Sequence, residues 1–186
     1  MLAPIGLQPR RLAAITARLL ADDRLFLTAG LDPRHAQPRT LTASPGSVAI
    51  LVIAALTDSP VSLDWASTVM QHAHARATLG GDPSLCLDPV CALTGTQQLG
   101  RALAVMLARP ALADRLLRIE LCRIAPVWSL WFRAREGVGV ARTIFSSAPP
   151  GKELRLALDG LPIAASINLP GRLISELSIK LAVSDG

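Results

Sequence analysis

The clearest pattern along the chain is a pair of alternating runs over residues 152–169. Every second residue is a leucine over 154–158, and every second residue is apolar over 161–169, with Asp159-Gly160 between the two runs. An Asp-Gly pair favours a tight type I′ turn because these residues tolerate the positive φ angles that the turn requires. The pattern predicts a β-hairpin whose apolar face is covered by other elements.

A second hairpin is predicted over residues 48–65. Residues 48–56 are all apolar and rich in Val and Ile, and residues 61–65 alternate apolar and polar side chains. Both patterns are typical of strands, although a short apolar run also fits a buried helix. A helix over residues 47–56 is therefore the alternative to the first strand of this hairpin.

A third hairpin is predicted from residues 127–133, with a return strand over 138–145 after a turn that contains glycine. Alternation along the first strand puts Trp128 and Phe132 on one side and Trp131 on the other. Large apolar residues on both sides indicate a strand that is covered on both faces.

Apolar residues recur at helical spacing in other segments. Helices are predicted over residues 9–21, 66–79, 96–108 and 111–122, with one or two further turns over 172–176. Residues 177–183 alternate and predict a closing strand, whereas the two Asp-Pro pairs within residues 82–94 predict a loop. Antiparallel β-hairpins with a grouped set of two or three helices and a leading N-terminal helix are typical of the α+β class.

Prolines and glycines divide the chain near residue 46. Residues 30–46 begin and end on glycine and contain Pro33, Pro38 and Pro45. Such a cluster of breakers is typical of a linker. The predicted organisation is an N-terminal helix with a Pro/Gly-rich linker over residues 1–46, followed by a single α+β domain over residues 47–186.

The composition adds a preference for apolar contact surfaces. Hydrophobic residues make up 51% of the chain and charged residues only 18%, with a mean hydropathy of +0.40. The longest uncharged run, residues 40–57, is interrupted by Ser44-Pro45-Gly46-Ser47, and its dense apolar part, residues 48–56, is too short to span a membrane. The N-terminus lacks the ordered regions of a signal peptide. The sequence therefore predicts a cytoplasmic protein without a membrane span, whose apolar surfaces contact partners.

The positive charge of the chain is almost entirely arginine. The net charge is +5, and 17 of the 19 basic residues are Arg. An arginine-rich nucleic-acid-binding module is one interpretation of this charge. However, the arginines are scattered and the chain has only six aromatic residues, whereas single-strand binders stack bases on aromatic side chains. Arginine is also common at protein interfaces, and nucleic acid is therefore the less favoured partner.

Four residues provide the only set that resembles a metal site: His72, His74, Cys86 and Cys91. Zinc requires four nitrogen or sulfur ligands at suitable spacing. On a helix, however, the two histidines are separated by about 200° and do not share a face. Small buried cysteines and at least one exposed histidine are the favoured interpretation, and a small metal protein or enzyme that uses residues 72–94 is the alternative.

Motifs for catalysis and for cofactor binding are absent from the sequence. Gly151-Lys152 is not followed by Ser or Thr, Gly137 and Gly139 fall in a predicted hairpin turn, and no Gly-x-Ser-x-Gly elbow occurs. Cys122 lies in an apolar segment without an identifiable base. No catalytic residue, metal ligand or cofactor is therefore assigned, and the sequence predicts a protein that is not an enzyme.

The aromatic residues Trp128, Trp131 and Phe132 form the candidate interface. A strand covered on both faces would place them in the core. Large aromatic side chains also anchor protein–protein interfaces. The sharper hypothesis is that one face of this strand binds a partner.

Two stretches carry a resemblance to a known family. Residues 153–177, ELRLALDGLPIAASINLPGRLISEL, and the segment from Gln97 through WSLWFRAREGVGVARTIF resemble the N-terminal, non-catalytic half of the Q protein of bacterial type III secretion. The shared pattern is a hairpin, then helices, then further hairpins, with a proline and a short Leu-rich helix after the last. This family forms the cytoplasmic ring, or sorting platform, and continues into a surface-presentation domain, whereas this chain ends at Gly186.

The resemblance implies a structural subunit that binds other subunits of a secretion assembly, and it carries no catalytic residues to transfer. A homo-oligomer is a further expectation. A split subunit, a shortened relative and an unrelated α+β protein are the three interpretations of the missing domain.

Overall fold

The structure, a computed structural model, describes residues 8–21, 28–29, 41–42, 44–57, 64–78, 89–122, 127–133, 139–147 and 166–184. The helices are α1 (Pro9–Ala21), α2 (Pro45–Leu56), α3 (Trp65–Ala73), α4 (Pro89–Thr94), α5 (Leu99–Leu107), α6 (Pro110–Ala113) and α7 (Gly171–Ser184). The strands are β1 (Thr28–Ala29), β2 (Leu41–Thr42), β3 (Arg76–Thr78), β4 (Leu116–Cys122), β5 (Val127–Arg133), β6 (Val140–Ser146) and β7 (Ser166–Pro170).

Five strands form one antiparallel sheet in the order β3-β6-β5-β4-β7, and β1 pairs with β2 separately. In this sheet Trp128 of β5 pairs with Leu121 of β4 and with Phe145 of β6, and all three side chains are buried. Successive residues of a strand point to opposite faces, so this register defines an inner face that joins the core and an outer face that does not. The α+β class predicted from the sequence is confirmed.

Helices cover the inner face of the sheet. The hydroxyl of Ser178 in α7 donates a hydrogen bond to the carbonyl of Met106 in α5, at 3.3 Å. Helix α2 packs against α5, and α1 packs on α2 through Ile15 and Leu19, which are fully buried. The helices and the inner face of the sheet thus share one hydrophobic core. Within the described segments, none of the helices has the length and apolar character that crossing a bilayer demands.

Helix α2 replaces the predicted strand at residues 48–56, so the predicted hairpin over 48–65 is wrong and the helical alternative is confirmed. Ser44 caps the helix, because its hydroxyl accepts a hydrogen bond from the backbone N–H of Ser47 at 3.1 Å. Pro45 occupies the first turn, where its missing N–H costs nothing. The helix is apolar on all sides because it is buried on nearly all sides.

The predicted helix over residues 111–122 is also wrong. Only α6 is helical, and the chain then forms strand β4. Leu residues at 112, 116, 117 and 121 fit a helical stripe, but Ile119 and Leu121 also alternate with Arg118 and Glu120. Strand β4 pairs with β5 on one side and with β7 on the other. These pairings satisfy its backbone N–H and C=O groups and favour a strand over a helix.

Helix α7 contains the segment predicted as a closing strand, so the strand over 177–183 is wrong. Ile174, Leu177, Ser178 and Leu181 are buried at helical spacing, whereas Ile179 and Val183 are exposed. The alternating apolar residues of 177–183 therefore include both buried and exposed positions of one helix.

Gly171 lets α7 begin against the sheet. A Cβ atom at this position would lie 1.8 Å from the carbonyl oxygen of Leu116 in β4. Only a residue without a side chain allows this approach of two backbones.

Of the remaining predictions, some are confirmed, some are wrong and some are untested. Helix α1, helix α5 and the β5–β6 hairpin are confirmed, whereas the helix predicted to residue 79 ends at Ala73 and α4 occupies part of the predicted loop 82–94. The hairpin over residues 152–169 is described only at β7. Residues 152–165 lie outside the described part of the chain, as do most residues of the predicted linker. The division at residue 46 stays a prediction.

Candidate interaction surface on the outer face of the sheet

The outer face of the sheet carries most of the polar chemistry of the described strands. Its residues, read from the register, are Arg76 of β3, Val140, Arg142, Ile144 and Ser146 of β6, Val127, Ser129, Trp131 and Arg133 of β5, Arg118, Glu120 and Cys122 of β4, and Ser166, Asn168 and Pro170 of β7. Four of these side chains are arginines and one is acidic. The described outer face is therefore positively charged.

This face is covered at one end and exposed at the other. Val127 and Ser146, near one end, are buried. At the opposite end Arg133 and Val140 are exposed, and Val140, a large apolar residue, is 59% exposed. Half-buried Trp131 lies between the two ends on β5.

Three side chains in one row across the sheet form the arginine–tryptophan cluster: Arg118 of β4, Trp131 of β5 and Arg142 of β6. The register pairs Trp131 with Arg118 on one side and with Arg142 on the other. The Cζ atom of Arg118 lies 4.4 Å from the centre of the indole ring, and that of Arg142 lies 4.9 Å from it. Both distances are within the range of cation–π attraction.

Glu120 provides a carboxylate beside the cluster. Its Oε2 atom accepts a hydrogen bond from Trp131 Nε1 at 3.1 Å. The same oxygen lies 3.9 Å from Nη2 of Arg118, at the long limit of an ion pair. The side chain of Arg118 is 49% exposed and that of Glu120 is 23% exposed, so this ion pair adds little to stability.

Ser129 positions Arg142. Both Nε and Nη2 of Arg142 donate hydrogen bonds to Ser129 Oγ, at 3.1 and 2.8 Å. Burial lowers the pKa of Arg142, the charge of Arg118 lowers it further, and the carboxylate of Glu120 opposes both effects. An arginine remains protonated under such shifts because its ordinary pKa lies far above neutral pH. Two fixed positive charges therefore flank Trp131.

The candidate interface residues fall on both faces of β5. Trp128 and Phe132 are 0% and 1% exposed and belong to the core, whereas Trp131 lies on the outer face. The sequence alternation thus separated them correctly. Of the three, only Trp131 is accessible to a partner without unfolding.

His72, the first residue of the candidate zinc set, is a core residue. Its Nδ1 atom accepts a hydrogen bond from Trp128 Nε1 at 2.9 Å, and the two rings meet edge to face. Burial lowers the pKa of His72. This bond requires a neutral imidazole with its proton on Nε2.

The other members of the candidate zinc set are not brought together by what the structure describes. His74 is exposed at the end of α3, Cys86 lies outside the described residues, and the side chain of Cys91 in α4 is not among those described. In the described part of the chain, no three His, Cys, Asp or Glu side chains are grouped as metal ligands would be. Cys122 is a half-buried free thiol on β4.

Sequence reasoning missed Arg118, Glu120 and Arg142 as companions of Trp131. Arg118 and Glu120 fall within the helix predicted over residues 111–122. Their alternation with Ile119 was the available signal for a strand, but the pairing of three separate strands was needed to bring them to Trp131.

Comparisons with known proteins give no relative from which a function could be transferred. No family model matches the chain, and neither the curated proteins nor the solved structures contain a match.

Proposed function

We propose that this protein is a non-enzymatic assembly protein of the cytoplasm, and that it binds other protein subunits through the arginine–tryptophan cluster. The observation that carries the proposal is the position of Trp131, a half-buried tryptophan held between two arginines on the exposed part of the outer face. Tryptophan and arginine are the residues most enriched among those that dominate binding energies at protein interfaces.

The packing of the cluster favours binding over a purely structural role. The inner side of β5 already contributes Trp128, Leu130 and Phe132 to the core, so folding has no need of a second large aromatic on the outer side. Cross-strand contacts with two arginines and a hydrogen bond to Glu120 fix the ring of Trp131 in one orientation. A side chain ordered before binding loses less entropy when a partner covers it.

The assembly we propose is one like the cytoplasmic ring of type III secretion. The order of β7, Pro170 and the Leu-containing helix α7 supports this proposal, since it has the strand, proline and helix order of the resemblance. The β5–β6 hairpin after helices α5 and α6 supports it as well. Helix α2, which stands where the family pattern has a hairpin, does not.

The test is affinity capture from the native host at moderate salt, with mass spectrometry and stoichiometry by light scattering. We expect one or more protein subunits in fixed ratio with the chain, and their loss in the variant Trp131→Ala. The matched control is Ile179→Ala, which removes an exposed apolar side chain from α7, on the opposite side of the sheet.

Two results would contradict the proposal. One is a monodisperse monomer that captures no subunit in fixed ratio. The other is a complex that forms equally well with wild-type protein and with folded Trp131→Ala, because the cluster would then not be the binding surface. Recovery of type III secretion ring, stator or ATPase subunits would support the particular assembly.

A further inference from the structure

We infer that the arginine–tryptophan cluster recognises an acidic polypeptide segment, and that Glu120 occupies part of this site as an intramolecular carboxylate. The inference rests on the proposed binding function and specifies the chemistry of the partner. It is carried by three features of the outer face: a carboxylate already bound, two arginines with unused donors, and an exposed apolar residue beside them.

The bound carboxylate shows which chemistry the cluster accepts. The Oε2 atom of Glu120 receives the indole N–H of Trp131 at 3.1 Å and lies 3.9 Å from Arg118 Nη2. A neutral N–H donor and a guanidinium thus converge on one oxygen. A carboxylate from a partner would meet the same pair of donors. It could approach Arg118 more closely than Glu120 does, because Glu120 is attached to the same strand only two residues away.

Two arginines retain donors for a partner. The guanidinium of Arg118 makes no hydrogen bond with the described part of the chain, and the side chain is 49% exposed. Arg133 is an exposed residue, and the hydrogen bonds that join it to Arg115 involve only the backbone of Arg133. A guanidinium over an aromatic ring keeps its N–H donors in its own plane, where they match the two oxygens of a carboxylate.

The spacing of these donors fits an extended segment. Arg133 lies two residues beyond Trp131 on the same face of β5, which corresponds to about 7 Å along a strand. Alternate side chains of an extended partner are separated by the same distance. Val140 of β6, paired with Arg133 and 59% exposed, provides an apolar contact beside Arg133. The matching partner therefore carries a carboxylate at every second residue.

Nucleic acid fits the same surface less well. A single-stranded nucleic acid stacks its bases on exposed aromatic faces, whereas a guanidinium from each neighbouring strand lies over the ring of Trp131. A phosphate backbone would also gain nothing from Val140.

The experiment measures binding of a fluorescein-labelled peptide of alternating glutamate and leucine by anisotropy, at moderate salt. The comparison probes are the same peptide with glutamine in place of glutamate and a single-stranded oligonucleotide of equal charge. We expect the glutamate peptide to bind at least about tenfold more tightly than either comparison probe, since close charge pairs at interfaces are strongly coupled.

Substitutions of the two arginines and of Glu120 should change the affinity for the glutamate peptide in opposite directions. Arg118→Gln and Arg133→Gln each remove a donor and should weaken binding about fivefold, since each loses one exposed charge pair. Glu120→Gln keeps an acceptor for the indole N–H but removes the competing charge, so it should strengthen binding about twofold to fivefold.

Charge-matched controls lie on the helices, on the other side of the sheet. Arg101→Gln in α5 and Glu176→Gln in α7 change exposed residues and the net charge by the same amounts. Neither should change the affinity by more than about 1.5-fold, because both charges are remote from the cluster and screened by salt.

Three results would overturn the inference. The first is equal binding of the glutamate and glutamine peptides, and the second is an Arg101→Gln effect as large as that of Arg118→Gln. The third is tighter binding of the oligonucleotide through the same arginines, which would identify a nucleic acid as the ligand. If captured subunits require Trp131 but the acidic peptide does not bind, this inference fails while the proposed function stands; if no subunit is captured but the peptide binds as expected, the reverse holds.

Discussion

Two tryptophans three residues apart on β5 have opposite environments. Trp128 is fully buried on the inner face and donates its indole N–H to the neutral ring of His72. Trp131 is half-buried on the outer face and donates its indole N–H to the carboxylate of Glu120, between two arginines. Each N–H has a partner, but one partner is uncharged and sealed from water and the other is charged and accessible.

The difference separates stability from binding along a single strand. The inner environment excludes charge, so its residues contribute through burial and packing. The outer environment keeps several charges near water, where each contributes little to folding and remains available to a partner. We therefore expect substitutions of inner residues to change the free energy of unfolding, and substitutions of outer residues to change binding.

The largest effect should come from truncating the two tryptophans in turn. Trp128→Ala should lower the free energy of unfolding by about 3–5 kcal/mol, since it leaves a large cavity and an unpaired His72. Trp131→Ala should lower it by about 1 kcal/mol, because cation–π contacts at accessible sites are weak. Urea denaturation measures both values. Equal losses for the two variants would contradict the division of roles.

A second large effect is expected where α7 meets the sheet. Gly171→Ala would place a methyl group 1.8 Å from the carbonyl oxygen of Leu116, and we expect a loss of about 3 kcal/mol from forced displacement of the helix. Gly46→Ala is the matched control in α2, because its nearest neighbour would be 3.8 Å away. It should change stability by less than about 1 kcal/mol, towards greater stability.

If thermal denaturation gave the two glycine variants the same melting temperature, α7 would not pack on β4 as described.

An intermediate loss of stability is expected at acidic pH, and it should come from His72, which contacts Trp128 on the inner face. Burial lowers the pKa of His72 in the folded protein, so below the ordinary value of about 6.5 the unfolded state binds a proton that the folded state does not. The stability that the neutral His72 contributes is fully present above that pH. As the pH falls below it, the free energy of unfolding decreases by at most about 1.4 kcal/mol per pH unit.

Denaturant midpoints between pH 7 and pH 5 measure this dependence. The slope is the change in the denaturant midpoint per pH unit. In His72→Gln the part of this slope that is due to the imidazole should disappear. The control His74→Gln changes an exposed histidine and should leave the slope as in the wild type. An unchanged slope in His72→Gln would contradict the lowering of the His72 pKa by burial.

The smallest effect should come from the positioning bonds of the outer face. Arg142→Gln removes two hydrogen bonds to Ser129, and we expect a loss of about 1 kcal/mol in urea denaturation. Glu120→Gln should change stability by less than about 0.5 kcal/mol. A loss of several kcal/mol for either variant would mean that the outer cluster is part of the folding core.

Local pattern predicted the elements that have one dominant periodicity. Residues 127–133, predicted as a strand with large side chains on both sides, form β5. Helix α1 places Ile15 and Leu19 on one face and has little apolar surface elsewhere. In α1 the buried positions therefore follow the helical period of the sequence.

The segments predicted wrongly fit two periodicities at once. Residues 116–122 alternate and also continue a leucine stripe, and tertiary pairing with β5 and β7 decided for the strand. Residues 177–183 alternate but end a helix whose buried face begins at Ile174. The arginine–tryptophan cluster depends on the order β6-β5-β4, which no local pattern contains, so Trp131 was predictable as a candidate and its companions were not.

The most direct test of the division between the two faces of β5 is oxidation of tryptophan in the free chain and in the complex captured from the host, read by peptide mass spectrometry. Trp128 and Trp65 are buried and should stay unmodified in both samples. Trp131 should be oxidised in the free chain and protected in the complex. Equal oxidation of Trp131 in the two samples would contradict its role as the binding surface.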